Sequence, residues 1–331
     1  MEYVYGPVPS RRLGQSLGID PIPLKTCNWN CVYCQLGRTV PLTNQRKAYQ
    51  PAEAILTEVE QALGDRNPED IDWITFVGSG EPTLHSELGG MIRKVQELTE
   101  IPVAVITNGA LCWLREVRED LRAADALLPS LDVGSAELYR KVNRPHPEIP
   151  YQRYHQGLVD LRRDYSGKLW VEVMLVRDLN DTPDALKDLA QALEPIQPDL
   201  VHLSQPTRPP VETWVQPPTP EGLLRAQAIL GEVSRVLHPA EGSFDLSSSS
   251  SPTEAVLGII NRHPLREDQL HHTLETWSRE DITQALQELR ESGRCRQIER
   301  CGVEFWVSAD SHYPEQSQSQ RTEPGRDPDP A

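Results

Sequence analysis

The sequence predicts an α/β protein, a partial (βα)6 barrel of the TIM-like kind followed by a small module of winged-helix order. Three observations carry this expectation. From residue 15 to about 205, short β-rich runs alternate with amphipathic helical stretches, as parallel strands joined by crossover helices do. Runs such as VAVI and VEVMLV are apolar almost throughout, the mark of strands covered on both faces. Beyond a serine run at Ser247–Ser251, three short helical patterns precede two β-like runs.

The six barrel strands are read, in order, from SLGID, IDWITFV, PVAVITN, DALLPSLDV, KLWVEVMLV and DLVHLS. Between them Pro51–Leu63, Ser86–Leu98 and Thr182–Leu193 place apolar residues three and four apart, and Pro183 suits a first helical turn. The barrel is assigned to residues 1–240 and a serine-rich linker to 241–252, because an unbroken serine run cannot bury a core. Residues 253–308 form the second module: helices over Thr253–Arg262, Arg266–Leu274 and Ser278–Ser292, then RCRQIE and VEFWVS as a hairpin. Ser278 with Asp281 reads as the N-cap pair of the third helix. Residues 309–331, rich in Ser, Gln, Pro, Asp and Glu, read as a disordered tail.

Composition narrows the function. A net charge of -16 opposes sequence-blind nucleic-acid binding, which depends on Lys and Arg against phosphates. Residues 1–50 run the other way: six basic side chains (Arg11, Arg12, Lys25, Arg38, Arg46, Lys47) face only Glu2 and Asp20, so an anionic ligand would find a locally positive mouth. Mean hydropathy is -0.50, no apolar run approaches the ~20 residues of a membrane span, and MEYVYGPVPSRRLG carries no secretory pattern. A cytoplasmic protein without membrane contact is expected. Six cysteines in a chain of this kind suit reduced thiols and a metal better than disulfides.

Three of them, Cys27, Cys31 and Cys34, stand at C-x3-C-x2-C just after the first strand. Such spacing lets one loop wrap three sulfurs around one centre. Three thiolates suit a four-iron cube with one iron open; a closed zinc site wants a fourth ligand, and no further His or Cys lies nearby in sequence. A zinc knuckle and incidental core thiols are the alternatives. Cys112, placed in a helical pattern, and Cys295 and Cys301, flanking the wing turn, read as buried apolar residues.

With an aromatic, Tyr33, before the last cysteine, the triad resembles the signature of the radical S-adenosylmethionine (SAM) superfamily. The resemblance implies a [4Fe-4S] cluster whose open iron chelates SAM. It also implies reductive cleavage to a 5′-deoxyadenosyl radical that abstracts hydrogen from substrate, with the electron coming from a flavodoxin- or ferredoxin-like donor. Gly78-Ser79-Gly80-Glu81, after the second strand, resembles the loop that holds the SAM amino group, with Glu81 accepting from the ammonium; Ser79 stands where a second glycine is common. By the same resemblance Asn108, Ser130 and Asp132 would touch the methionine or ribose part and Met174 would border adenine; ordinary capping and turn roles are the alternative.

Arg140, Lys141 and Arg144 on one segment, and Gln205 and Arg208 on another, would grip a carboxylate or phosphate of the substrate. For Arg140 and Lys141 the other reading is a solvated helix face. PSRRLGQSLGIDPIPLKTCNWNCVYCQLGRT, GEPTLH and ELYRKVNRPH resemble the group of the wyosine-type tRNA-modifying proteins, which carry additional cysteines before the triad; here none precedes Cys27, so one cluster is expected. The substrate class is RNA or protein. A glycyl-radical-enzyme activase and an iron–sulfur regulator using the winged helix are the rivals. DNA contact is disfavoured, because Ser278–Ser292 carries two arginines against four acids.

Overall fold

In the computed structural model, the described residues are 1–237, 251–274, 276–300 and 302–314. An eight-stranded sheet holds them together in the order β1 (Val4–Ser10), β2 (Gly14–Ile19), β3 (Trp73–Phe76), β4 (Val103–Thr107), β5 (Ala126–Pro129), β6 (Lys168–Met174), β7 (Leu200–Ser204) and β8 (Ser234–Val236). The pair β1–β2 is antiparallel and every later neighbour is parallel, which gives an open, TIM-like partial barrel. All six expected barrel strands are present. The two end strands were not expected: β1 contains two prolines and a bulge between Tyr5 and Val8, and β8 is only three residues long.

Crossover helices cover the outer face: α1 (Ala52–Gly64), α2 (Leu88–Leu98), α3 (Arg115–Leu121), α4 (Ala136–Val142), α5 (Tyr151–Asp164), α6 (Pro183–Leu193) and α7 (Pro220–Leu230). Their apolar stripes decide their orientation. In α2, Leu88, Met91, Ile92 and Val95 are buried at three- and four-residue spacing, each stabilising by about 1.5–3 kcal/mol on burial. Thr182 caps α6 by accepting from Ala185 N, with Pro183 in the first turn as expected.

Strand periodicity sorts the remaining side chains. Leu169, Val171 and Val173 of β6 join the helix-packed core, so Trp170, Glu172 and Met174 face the barrel interior. One end of that interior is plugged by Leu13, Ala104, Ala126 and Leu128 with Trp73 and Trp170. Polar residues occupy the other end, where the strands finish.

The second module has the expected order: α8 (Pro252–Ile260), α9 (Glu267–Thr273), α10 (Arg279–Glu291), β9 (Cys295–Arg300) and β10 (Val303–Ser308) around its own core of Val256, Ile260, Leu270, Ile282, Leu286 and Trp306. Ser278 and Asp281 form the expected reciprocal cap of α10. The linker expected at 241–252 lies outside the described residues up to 250; Ser251 and Pro252 belong to α8, which Ser251 caps. Cys301 and residues 315–331 also lie outside them. The expected tail requires correction at its start: residues 309–314 return to the barrel, Tyr313 is buried, and its hydroxyl donates to Gln35 O. Cys112 lies in a turn rather than a helix, its N–H on Gly109 O, and is fully buried as expected, as is Cys295 on β9.

Candidate functional site at the strand ends

The cysteine loop leaves β2 and is pinned along its whole length. Lys25 N–H donates to Ser79 O (2.7 Å) and Glu81 N–H to Thr26 O (2.9 Å), so the segment before Cys27 is laid against the loop that follows β3. Two glycines permit that approach: a Cβ on Gly78 would meet Asp20 Oδ1 at 1.9 Å, and one on Gly80 would meet Thr26 O at 2.0 Å. Gly80→Ala is therefore expected to destabilise by about 1–3 kcal/mol and to lower iron per chain after anaerobic reconstitution. Iron analysis beside a melting curve checks both.

Further along, Trp29 is buried, its indole N–H donating to Tyr139 Oη (3.0 Å) and its ring edge-on to Tyr139 and Tyr154. Asn30 N–H bonds Asn143 O and Arg144 O, Val32 N–H bonds Val142 O, and His146 N–H bonds Asn28 O. The segment 142–146 thus clamps the loop between Cys27 and Cys34. Arg144 is committed to Glu212 (2.5 Å), which also takes Arg38 (3.1 Å).

Around the thiols the donors are telling. Lys25 Nζ lies 3.1 Å from Cys34 Sγ, Asn108 Nδ2 3.7 Å from Cys27 Sγ, and Trp29 N 3.5 Å from the same sulfur. Asn28 is fully buried, its Oδ1 taken by Asn108 and its Nδ2 without a partner among the described residues. Burial pushes the Cys27 thiol up to about 12 against the pull of Lys25, and it raises Cys31 well above the usual thiol range. Burial lowers Lys25, but the three thiols outweigh it and leave the ammonium's pKa raised. Such thiols ionise only when a metal replaces the proton. Among the described residues, no three Cys, His, Asp or Glu groups converge on a point for a single metal ion. Three thiols ringed by a cation, amide donors and an unused buried N–H fit an iron–sulfur cluster, whose sulfurs accept such bonds.

Two buried carboxylates brace this arrangement. Glu81 was expected to accept from an ammonium, yet its oxygens already accept from Thr83 N (3.0 Å), Thr83 Oγ1 (2.5 Å), Thr107 Oγ1 (2.5 Å) and Asn108 N (2.8 Å). It ties the end of β3 to the end of β4. Asp132, expected at methionine or ribose, likewise holds the chain's own donors: Tyr33 Oη (2.5 Å), Asn143 Nδ2 (2.6 Å) and Met174 N (2.7 Å). Burial raises both carboxyls although each of these bonds favours the anion. Tyr33, raised well above its usual range by burial and by Asp132, is thereby fixed between Cys31 and Cys34.

The other expected residues divide clearly. Asn108 stands beside Cys27 as described. Ser130 offers its carbonyl to Tyr154 Oη, and Met174 faces the interior at the end of β6. Ser79 is held away by Asp20, which takes its N–H (3.1 Å) and hydroxyl (2.7 Å). Arg140 and Lys141 lie on the exposed face of α4, where Lys141 pairs with Glu137 four residues back; they do not belong to the site. Gln205 is half-buried just past β7, and Arg208 meets His263 of the second module.

Sequence reasoning missed how the second module takes part. Arg262 donates to Asp20 Oδ2 (3.1 Å) and Glu2 O (2.6 Å) and stacks on Tyr5, while Arg262 O accepts from Gln35 on the cysteine loop. Cys34 packs against Val211, Ile298, Phe305, Val307 and Tyr313, so the hairpin covers one side of the thiol loop. Lys25, Asn28, Asn143 and Asn180 were missed too; Asn180 Nδ2 donates to both Asp132 O and Met174 O, joining β5 to β6.

Comparison with known proteins shows the family. Residues 22–193 match the radical SAM superfamily. A UPF0026 protein of Methanocaldococcus jannaschii is 36% identical over 279 residues, covering 83% of this chain and 86% of that one. A Brachyspira hyodysenteriae protein named GTPase Obg is 35% identical over 303 residues; the match covers 89% of this chain but spans only 43% of that relative's length. Among solved structures, a radical SAM methyltransferase from Sphaerobacter thermophilus superposes with a TM-score of 0.50 at 17% identity, over 67% of this chain and 65% of the other, a likeness of fold.

Proposed function

Because the chain belongs to the radical SAM superfamily, with its [4Fe-4S] cluster and SAM, we propose that Cys27, Cys31 and Cys34 hold the cluster and that the barrel interior holds the substrate. Held there, the cluster and SAM would supply one-electron reductive cleavage of SAM and, through it, hydrogen abstraction from a substrate. The chain's own part is positional. Gly78 and Gly80 let the loop seat, Glu81 and Asp132 lock the strand ends, and Lys25 offsets negative charge beside Cys34. The hairpin at Cys34 limits solvent access, which guards a reactive centre.

The observation that carries this reading is the buried triad with its cation and amide donors. RNA or protein modification in the cytoplasm, in kinship with the wyosine-type group, remains the substrate class, with a flavodoxin- or ferredoxin-like electron donor. The face of α10 that carries Glu280, Glu288 and Glu291 speaks against a DNA-binding regulator. Among the described residues no helix is long and apolar enough to cross a membrane. Anaerobic reconstitution with iron and sulfide, followed by dithionite and SAM, is expected to yield 5′-deoxyadenosine; a fully loaded protein that forms none overturns the proposal.

A further inference from the structure

The barrel interior carries cations that the cluster site does not use. Arg11 and Arg12, in the turn between β1 and β2, and Arg208, four residues past β7, lie close enough to act on one another: Arg11 and Arg208 both lower Arg12, and Arg11 lowers Arg208, after burial. Among the described residues a carboxylate, Glu172, pairs with Arg12, while Arg208 meets His263. Glu172 on β6 takes Arg12 Nη2 on Oε2 (2.9 Å) and contacts Arg12 Nε through Oε1. The neighbouring interior positions on β7 are His202, in register with Glu172, and Ser204, in register with Met174. Burial and Arg12 lower His202 to about 4, so it is neutral near pH 7 and adds no charge.

Polar atoms are left over at this place. Arg11 Nη1, His202 Nδ1 and Ser204 Oγ are buried without hydrogen-bond partners among the described residues, and His202 and Ser204 are only 4% and 2% exposed. An unmet buried polar group costs about 1–3 kcal/mol, so three in one region are unexpected unless something supplies the missing bonds. All three can donate, and the carboxylate Glu172 pairs with only one of the three guanidiniums, that of Arg12, among the described residues. The ligand that fits is rich in acceptors, negatively charged and matched to a planar fork.

Resting on the reading that this barrel binds a substrate, we propose that Arg11, Arg12 and Arg208, with His202 and Ser204, bind an oxyanion, a carboxylate or phosphate, at the substrate's inner end. Its place follows from the strands: His202 lies two residues inside the end of β7, and Ser204 closes that strand beside Met174. The anion is thus anchored inside the barrel, leaving the rest of the substrate towards the strand ends and the cysteine loop. Of the five residues first assigned to substrate, Arg208 alone belongs to this cluster.

Inorganic phosphate serves as the probe, titrated calorimetrically into the purified full-length protein at constant ionic strength, with chloride as control. Phosphate at about four times its dissociation constant is expected to raise the melting temperature by about 1–2 °C. Arg208→Gln should weaken phosphate binding at least about tenfold, as expected for loss of a charged hydrogen bond. Arg11→Gln should likewise weaken phosphate binding and shrink the thermal shift without lowering the melting temperature in phosphate-free buffer, because it removes a like charge, whereas Arg208→Gln also gives up its contact with His263. A purely structural role would lower that temperature. Wild-type protein that ignores phosphate, or an Arg208→Gln protein that binds it as tightly, overturns the proposal. Saturating SAM that displaces phosphate also overturns it, by assigning the site to SAM's own carboxylate. Phosphate binding needs no reduced cluster, so failure of SAM cleavage in the wild type would count against the superfamily chemistry alone.

Discussion

Replacing Cys31 by alanine is expected to cut 5′-deoxyadenosine formation more than about 100-fold, since loss of an outer partner of a metal ligand already costs 10–100-fold. The fold should survive. Cys31 is one of three thiols on a loop held by backbone bonds to 142–144 and by Trp29, and none of those bonds uses its sulfur. A protonated buried thiol behaves as a small apolar residue, so alanine removes one atom and leaves the loop's backbone bonds in place. Iron and sulfide per chain should fall together with product, while the melting curve of the apoprotein stays within about 1 kcal/mol of wild type. A Cys31→Ala protein that cleaved SAM at the wild-type rate would remove the cluster from this loop.

Local signals explain which features were legible in the sequence. The triad, the glycines at 78 and 80 and the six barrel strands each leave a pattern within a few residues, and each is found where expected. The roles of Glu81 and Asp132 were legible only as acids at strand ends. Their partners, Thr107 and Asn108 for one, Tyr33, Asn143 and Met174 for the other, come from 11 to 99 residues away. A carboxylate whose oxygens are taken by its own chain looks, in sequence, the same as one waiting for a ligand. The pairing of Arg262 with Asp20 spans 242 residues and has no local signature. Arg140, Lys141 and Arg144 sit within five positions, yet helical geometry sends the first two to solvent, while Arg144, beyond the end of α4 at a positive φ of 47°, reaches Glu212.

Placement of the second module changes what it is expected to do. Its hairpin and residues 309–314 lie against the cysteine loop: Arg38 N–H bonds His312 O (2.7 Å), and a Cβ on Gly37 would meet that same residue's backbone. The module is therefore part of the wall around the thiols, and the exposed face of its α10 carries Glu280, Glu288 and Glu291 against Arg279.

Trp29→Ala is the substitution expected to cost the fold most. Trp29 is 2% exposed and sits edge-on to Tyr139 and Tyr154, which stack on each other at 4.8 Å, so its removal opens a cavity beneath the loop. Large-to-small aromatic changes of this kind cost about 3–5 kcal/mol, or roughly a 5–15 °C fall in melting temperature. Loss of the indole N–H also strips Tyr139 Oη of its donor. Trp29→Phe refills most of the volume and should recover most of the stability, separating packing from the hydrogen bond. Because Trp29 lies between Cys27 and Cys31, the alanine protein should also take up less iron, even below its melting temperature. Wild-type iron content in Trp29→Ala would mean that the clamp of 142–146 alone holds the thiols, and an unchanged melting temperature would rule out the ring as the loop's anchor.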